Sequence, residues 1–271
     1  MIIEDSLSKT VKIGMWLLAD AYEISSLDIS DSAIQNIKKR FPQVNGIVSD
    51  AGTIPLKSET FNIVTSQYGI EYAGHNAVLE AARLVDNGGL LSLILHFESG
   101  SIHHDSLQNL AAMEKLEESK FIPLAIKMFD AGFKAVNGAH RSDYEKSASN
   151  LAPAISDLEK IMKHYGQNIA DNTIVRLYND VGQIHEQLQN YGAVEVINWL
   201  DRMSVELNAY TGRMSSMCRS AISHQKFDTI QNELKNLGFS IKSAETLIVS
   251  DHQQPMAWIL IAEKETASYP M

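Results

Sequence analysis

The chain has 271 residues, 45% of them hydrophobic and 21% charged, which excludes a largely disordered protein. Its formal net charge is −10 and no dense Lys/Arg run supplies a basic face, so nucleic acid is not expected as a partner. The single cysteine, Cys218, rules out an internal disulfide and a cysteine-rich zinc site.

In chain order, the first apolar stretch is residues 13–19, too short to span a bilayer. Acidic Glu4 and Asp5 precede it, so it does not read as a secretory signal, and a cytoplasmic protein without a membrane partner is expected. Ile13, Trp16, Leu17 and Leu18 form the apolar stripe of a helix ending near Tyr22. Residues 24–29 (ISSLDI) predict a short strand that ends on Asp28. Ser30 can cap the next helix, whose buried face is Ala33, Ile34 and Ile37, and Phe41-Pro42 stops it. Residues 44–48 are a third apolar segment, followed by Ser49-Asp50-Ala51. Residues 61–66 (FNIVTS) predict a buried strand and 75–85 a helix terminated by the turn Asn87-Gly88-Gly89. Residues 90–96 (LLSLILH) are a nearly continuous apolar strand. Continuous apolar strands separated by helices predict a parallel sheet covered on both faces.

From about residue 100 to 225 the spacing is helical throughout. Four stripes stand out: Leu107, Leu110, Met113 and Leu116; Leu151, Ile155, Leu158 and Met162; Ile174, Leu177, Val181, Ile184 and Leu188; and Val196, Leu200, Met203 and Leu207. Pro153 suits a first helical turn. The chain closes with a helix over 227–237, the turn Gly238-Phe239, and strands over 240–249 and 256–263.

These pieces, in their order and spacing, resemble the class I S-adenosylmethionine-dependent methyltransferases of small-molecule type. Leu27-Asp28-Ile29-Ser30 before a helix is similar to the family's second strand and its acidic end. Ser49-Asp50-Ala51 with Ile54-Pro55-Leu56 resembles the "D-A-x-x-L-P-F" stretch. Phe61-Asn62-Ile63-Val64 leading to Gln67-Tyr68-Gly69 resembles the fourth strand, with Asn62 in place of the usual Asp. Leu84 to Leu90 resembles the "L-x-P-G-G" turn before the fifth strand, and the final strand pair the family's C-terminal hairpin. The resemblance covers about 1–96 and 226–264.

The resemblance implies an α/β, doubly wound Rossmann-like sheet with a large helical insertion after the fifth strand and a C-terminal antiparallel strand pair. Residues 1–96 and 226–271 would bind S-adenosylmethionine, and 97–225 would form a substrate lid or an interaction subdomain, possible site of a homodimer contact. Cofactor-binding residues would be Asp28, Ile29, Asp50, Ala51, Gln67 and Tyr68. Their chemistry suits such a ligand. A strand-end carboxylate such as Asp28 can accept two hydrogen bonds from a ribose diol, and Asp50 can accept from an adenine amino group while Ala51 donates its N–H. The alternative for Asp28 is a helix cap or a solvated carboxylate. Gln67 and Tyr68 would lie beneath the methionine part or the substrate. The product would be S-adenosylhomocysteine.

One family feature has no counterpart. The glycine-rich turn after the first strand should precede Ile13-Gly14, yet residues 2–12 contain no glycine. Either residues 1–5 are a residual first strand with a glycine-free loop, or the natural first strand is missing from a shortened product.

Outside these motifs, His96, His103, His104 and Asp105 lie close in sequence. Adjacent histidines on one segment are poorly placed to share a metal, so no metal site is expected, although His96 at a strand end could act as a base near substrate. Cys218 reads as a core thiol. Two functions compete: a methyltransferase acting on a small molecule, and a non-catalytic descendant of the fold serving as an interaction module. A dehydrogenase is weaker still, because no G-x-G-x-x-G is present.

Overall fold

The computed structural model describes residues 2–3, 22–248 and 254–266. One sheet of seven strands organises the first unit: β1 (Ile2–Ile3), β2 (Ser25–Asp28), β3 (Asn45–Val48), β4 (Phe61–Gln67), β5 (Val85–His96), β6 (Phe239–Leu247) and β7 (Ala257–Lys264). Their spatial order is β3-β2-β1-β4-β5-β7-β6. The first five run parallel, and β7 lies antiparallel between β5 and β6. The α/β class and the closing antiparallel pair follow the sequence pattern. Strands buried on both faces must be apolar along their length. Leu91, Leu93 and Leu95 of β5 and Val64 of β4 are accordingly fully buried.

Two-residue β1 pairs with both flanking strands: Ile2 stands opposite Ser26 and Thr65, and Ile3 opposite Leu27 and Ser66. A first strand therefore occupies the sheet centre, closing edges on β2 and β4 that would otherwise template unwanted pairing. The helix expected over 13–22 and the glycine-free loop before it lie outside the described residues, Tyr22 excepted.

Helix α1 (Asp31–Arg40) begins as its sequence predicts. The Ser30 hydroxyl accepts the Ala33 N–H at 3.3 Å, and Lys38, Lys39 and Arg40 occupy the last turn, where the helix dipole favours cations. Its Ile34 and Ile37 pack with Ile24, Phe41 and Val44, while Ala33 is only half-buried. Helix α2 (His75–Leu84) contributes Ala77, Val78, Ala81, Ala82 and Leu84 to the main core.

The Asn87-Gly88-Gly89 turn requires correction. The helix already ends at Leu84, because Val85 is extended and pairs with Phe61. Residues 86–89 then bulge from β5 before the ladder resumes with Leu90 opposite Ile63. Gly88 sits at φ +76°, and a Cβ on Gly89 would lie 2.8 Å from the carbonyl oxygens of Asn62 and Asp86. The glycines thus serve a bulge within a strand rather than a helix stop.

Residues 1–104 with 217–271 form one compact unit and 105–216 a second. The second is built from most of α3 (Ser101–Ser119), α4 (Phe121–Val136), α5 (Arg141–Tyr165), α6 (Thr173–Glu186) and most of α7 (Ala193–Ser220). Helix α8 (His224–Asn236) belongs to the first. Val196, Leu200, Met203 and Leu207 are all buried as their spacing requires, as are Leu151, Leu158 and Ile174 to Ile184 at helical intervals. Two expectations fail here. Leu107 is 44% exposed, since α3 turns Ser106, Ala112, Met113 and Leu116 inward instead. Pro153 lies in the interior of α5, which starts twelve residues earlier at Arg141, so the carbonyl of Ser149 loses its helical donor.

Candidate functional site

In an open parallel sheet, ligands gather beyond the carboxyl ends of the strands, where the strand order reverses. Here the reversal falls at β1: the chain passes outward to β2 and β3, then returns to β4 and β5. The sequence-derived residues stand along this one edge. Asp28 ends β2 and is half-buried. Its Oδ1 accepts the Ser30 N–H at 2.7 Å, so the carboxylate helps to cap α1 as well as standing at the strand tip. Ile29, beside it, is 73% exposed.

Asp50 follows β3 by two residues and is exposed. Its Oδ1 accepts the Gly52 N–H at 2.8 Å, and its carbonyl accepts the Thr53 N–H, a tight Asx-type turn. Ala51 is buried in the main core. The loop beyond is fastened by Glu80 and Arg83 of α2. Glu80 Oε2 accepts the Ile54 N–H at 3.0 Å, while Arg83 donates to the carbonyls of Ile54 and Leu56 and to both Glu80 oxygens. The Arg83 hydrogen bond holds the Glu80 carboxyl below its ordinary pKa, against an opposing effect of burial.

Gln67 ends β4, two strand intervals from β2, or about 10 Å. Tyr68 takes the left-handed conformation at φ +54°, and its N–H donates to the Ile94 carbonyl at 2.8 Å. Burial, then the charge of Glu71, raises the pKa of its hydroxyl. The edge thus brings Asp28 and Asp50 together at adjacent strand ends, with Gln67 and Tyr68 across β1.

One strand further, His96 ends β5 and meets a residue that sequence reading missed. Glu71, in a 3₁₀ turn (Ile70–Ala73), has a fully buried carboxylate. Its Oε1 accepts the backbone N–H of His96 at 3.0 Å and contacts His96 Nδ1 at 2.7 Å. Its Oε2 is buried with no hydrogen-bond partner among the described residues. The Tyr68 ring lies 4.6 Å from the imidazole, tilted by 41°, and the Tyr72 ring meets it edge-on at 5.8 Å. The one signal in the sequence was an acidic residue set between Ile70 and Tyr72 just after an apolar strand.

The remaining histidines do not join this group. His103 and His104 lie in the first turn of α3, and among the described residues no three metal-ligating side chains converge. Cys218 is a half-buried thiol whose pKa is raised by burial.

Residues 11–93 match the model of a methyltransferase domain. Over these residues the chain is similar to that family. A ubiquinone/menaquinone biosynthesis C-methyltransferase from Campylobacter jejuni is 33% identical over 76 residues, 27% of this chain and 32% of that enzyme. The chain thus spans about a third of the length of this curated relative. Among solved structures, a methyltransferase from Methanosarcina mazei aligns at a TM-score of 0.43 and 9% identity over 98% of this chain and 92% of its own. A Bacillus halodurans protein described as a methyltransferase aligns at 0.37 and 14% identity over the same shares, 98% and 92%.

The residues at this edge suit S-adenosylmethionine, the cofactor of the domain that the stretch resembles. Carboxylates at adjacent strand ends suit hydroxyl and amino donors, and exposed Ile29 offers an apolar face beside them.

Proposed function

We propose that the chain transfers a methyl group from S-adenosylmethionine to a small-molecule acceptor. The observation that carries the reading is the pair Asp28 and Asp50 at neighbouring strand ends within the matched domain. Asp28 would accept from the ribose hydroxyls, Asp50 from the adenine amino group and Ala51 would donate its N–H to the ring. Ile29 would cover one face of the base. Gln67 and Tyr68 would border the methionine part. When bound, the cofactor supplies a methyl group on a sulfonium that leaves readily. The residues around it need only hold the acceptor atom in line with the methyl carbon, a matter of proximity and orientation. Unit 105–216 would serve as substrate lid or as the contact between two copies, in a cytoplasmic protein.

Calorimetric titration with S-adenosylhomocysteine tests this reading. Saturable one-to-one binding is expected; no heat and no thermal stabilisation at millimolar ligand would favour the non-catalytic interaction module instead.

A further inference from the structure

We propose that His96, held by the positioning residue Glu71, is the base that receives a proton from an acceptor bearing an O–H or N–H group. This deepens the methyltransferase reading above and rests on it.

The geometry assigns the roles of the two imidazole nitrogens. A carboxylate 2.7 Å from Nδ1 fixes the proton there, which makes Nε2 of the neutral ring the lone-pair nitrogen. Among the described residues none hydrogen-bonds Nε2, and His96 keeps 8% exposure. The same Glu71 oxygen holds the His96 backbone, so ring and main chain are registered together. Tyr68 on a tilted face and Tyr72 at an edge restrict rotation of the ring. A carboxylate on one imidazole nitrogen and an unengaged lone pair on the other form the arrangement from which a histidine removes protons in many enzymes.

The position agrees with that role. His96 stands on the same sheet edge as Asp28, Asp50 and Gln67, one strand beyond Gln67 and on the side away from the adenosine-binding carboxylates. An acceptor lying beyond the methionine part would meet His96 next. The acceptor's oxygen or nitrogen pair forms the bond to the methyl carbon as the carbon–sulfur bond breaks with its pair going to sulfur. The acceptor's proton passes to Nε2, and the resulting imidazolium lies beside the Glu71 carboxylate. An acceptor with no proton to lose would leave this pair idle.

The test uses the full chain, diethyl pyrocarbonate and S-adenosylhomocysteine. The reagent acylates accessible, unprotonated imidazole nitrogen, and peptide mass spectrometry reads each histidine separately. His96 should react in the free protein. With S-adenosylhomocysteine at ten times its Kd, His96 should still react, because its Nε2 serves the acceptor and not the cofactor. In parallel, ¹⁵N shifts of the wild-type ring should show the proton on Nδ1 alone. In Glu71→Leu, which removes the acceptor facing Nδ1, the tautomer with the proton on Nε2 should appear. A His96 that fails to react in the free protein, while S-adenosylhomocysteine still binds, overturns the base and leaves the cofactor reading standing. A wild-type ring protonated on Nε2 overturns it as well. If S-adenosylhomocysteine does not bind the wild type, the methyltransferase reading fails and the base falls with it.

Discussion

Asp28→Asn separates the two roles of one carboxylate. Asn keeps an oxygen that can accept the Ser30 N–H, at present 2.7 Å from Asp28 Oδ1, so the start of α1 should survive. The charge is lost, and with it the strength of any hydrogen bond to a ribose hydroxyl. Hydrogen bonds to charged groups contribute about 1.5–3 kcal/mol. A loss of about 2 kcal/mol weakens Kd for S-adenosylhomocysteine roughly 30-fold. In a thermal-shift assay with ligand at 100 times the wild-type Kd, the wild type gains about 2.7 kcal/mol. The variant, at about three times its own Kd, gains only about 0.9 kcal/mol. At roughly 2–4 °C per kcal/mol, a wild-type shift of about 5–10 °C should shrink to about 2–3 °C. The melting temperature without ligand should stay within about 2 °C, a change below 1 kcal/mol. An Asn variant that binds S-adenosylhomocysteine as tightly as the wild type would refute the ribose role and reduce Asp28 to a cap.

Three other outcomes follow from named contacts. Glu80 has a folded pKa held below its ordinary 4.5 by the Arg83 hydrogen bond, so the stability from this contact is full above the unfolded value and is lost as pH falls through the lowered folded one. Urea midpoints should therefore decline below about pH 4.5 in the wild type, and Arg83→Ala should start lower at pH 7 and decline less. Gly89→Ala places a Cβ 2.8 Å from two backbone oxygens that cannot swing aside, and should cost about 2–3 kcal/mol in chemical denaturation. His96→Gln should lower methyl incorporation from S-adenosylmethionine into the small-molecule fraction of a cell extract about 100-fold while leaving calorimetric binding of S-adenosylhomocysteine unchanged.

The frame was legible because local signals agreed with one another. Ser30 followed by Ile34 and Ile37 announces a capped helix, and LLSLILH cannot be other than a strand covered on both sides. The adjacency of β2 and β3 then places Asp28 and Asp50 together once a parallel sheet is granted. Details that depend on pairing partners were not legible. Asn87-Gly88-Gly89 carries the chemistry of a helix stop, and only the register of β5 against Phe61 and Ile63 makes it a bulge. Pro153 suits a helix start until the packing of Leu151, Ala154 and Leu158 carries α5 through it. Leu107 shows how a repeat of apolar residues can be shifted by one position when Ser106 takes the inward place.

Glu71 and His96 were hidden for a different reason. They are separated by 25 residues, with α2 and most of β5 between, and no spacing rule joins them. A second glutamate in the same unit shows what distinguishes the pair. The Glu80 carboxylate, partly exposed, is met by Arg83 and by the Ile54 N–H, and its effect is to hold the loop after β3. The Glu71 carboxylate is fully enclosed, gives one oxygen to His96 and leaves the other without a partner among the described residues. An unsatisfied buried polar atom costs about 1–3 kcal/mol, and an apolar side chain of similar shape would avoid that cost. Stability alone therefore accounts for Glu80 and not for Glu71. Departures from local consistency concentrate where a protein does its chemistry. This one lies at a strand end on the ligand-gathering edge of the sheet, against a histidine whose outer nitrogen no described residue engages.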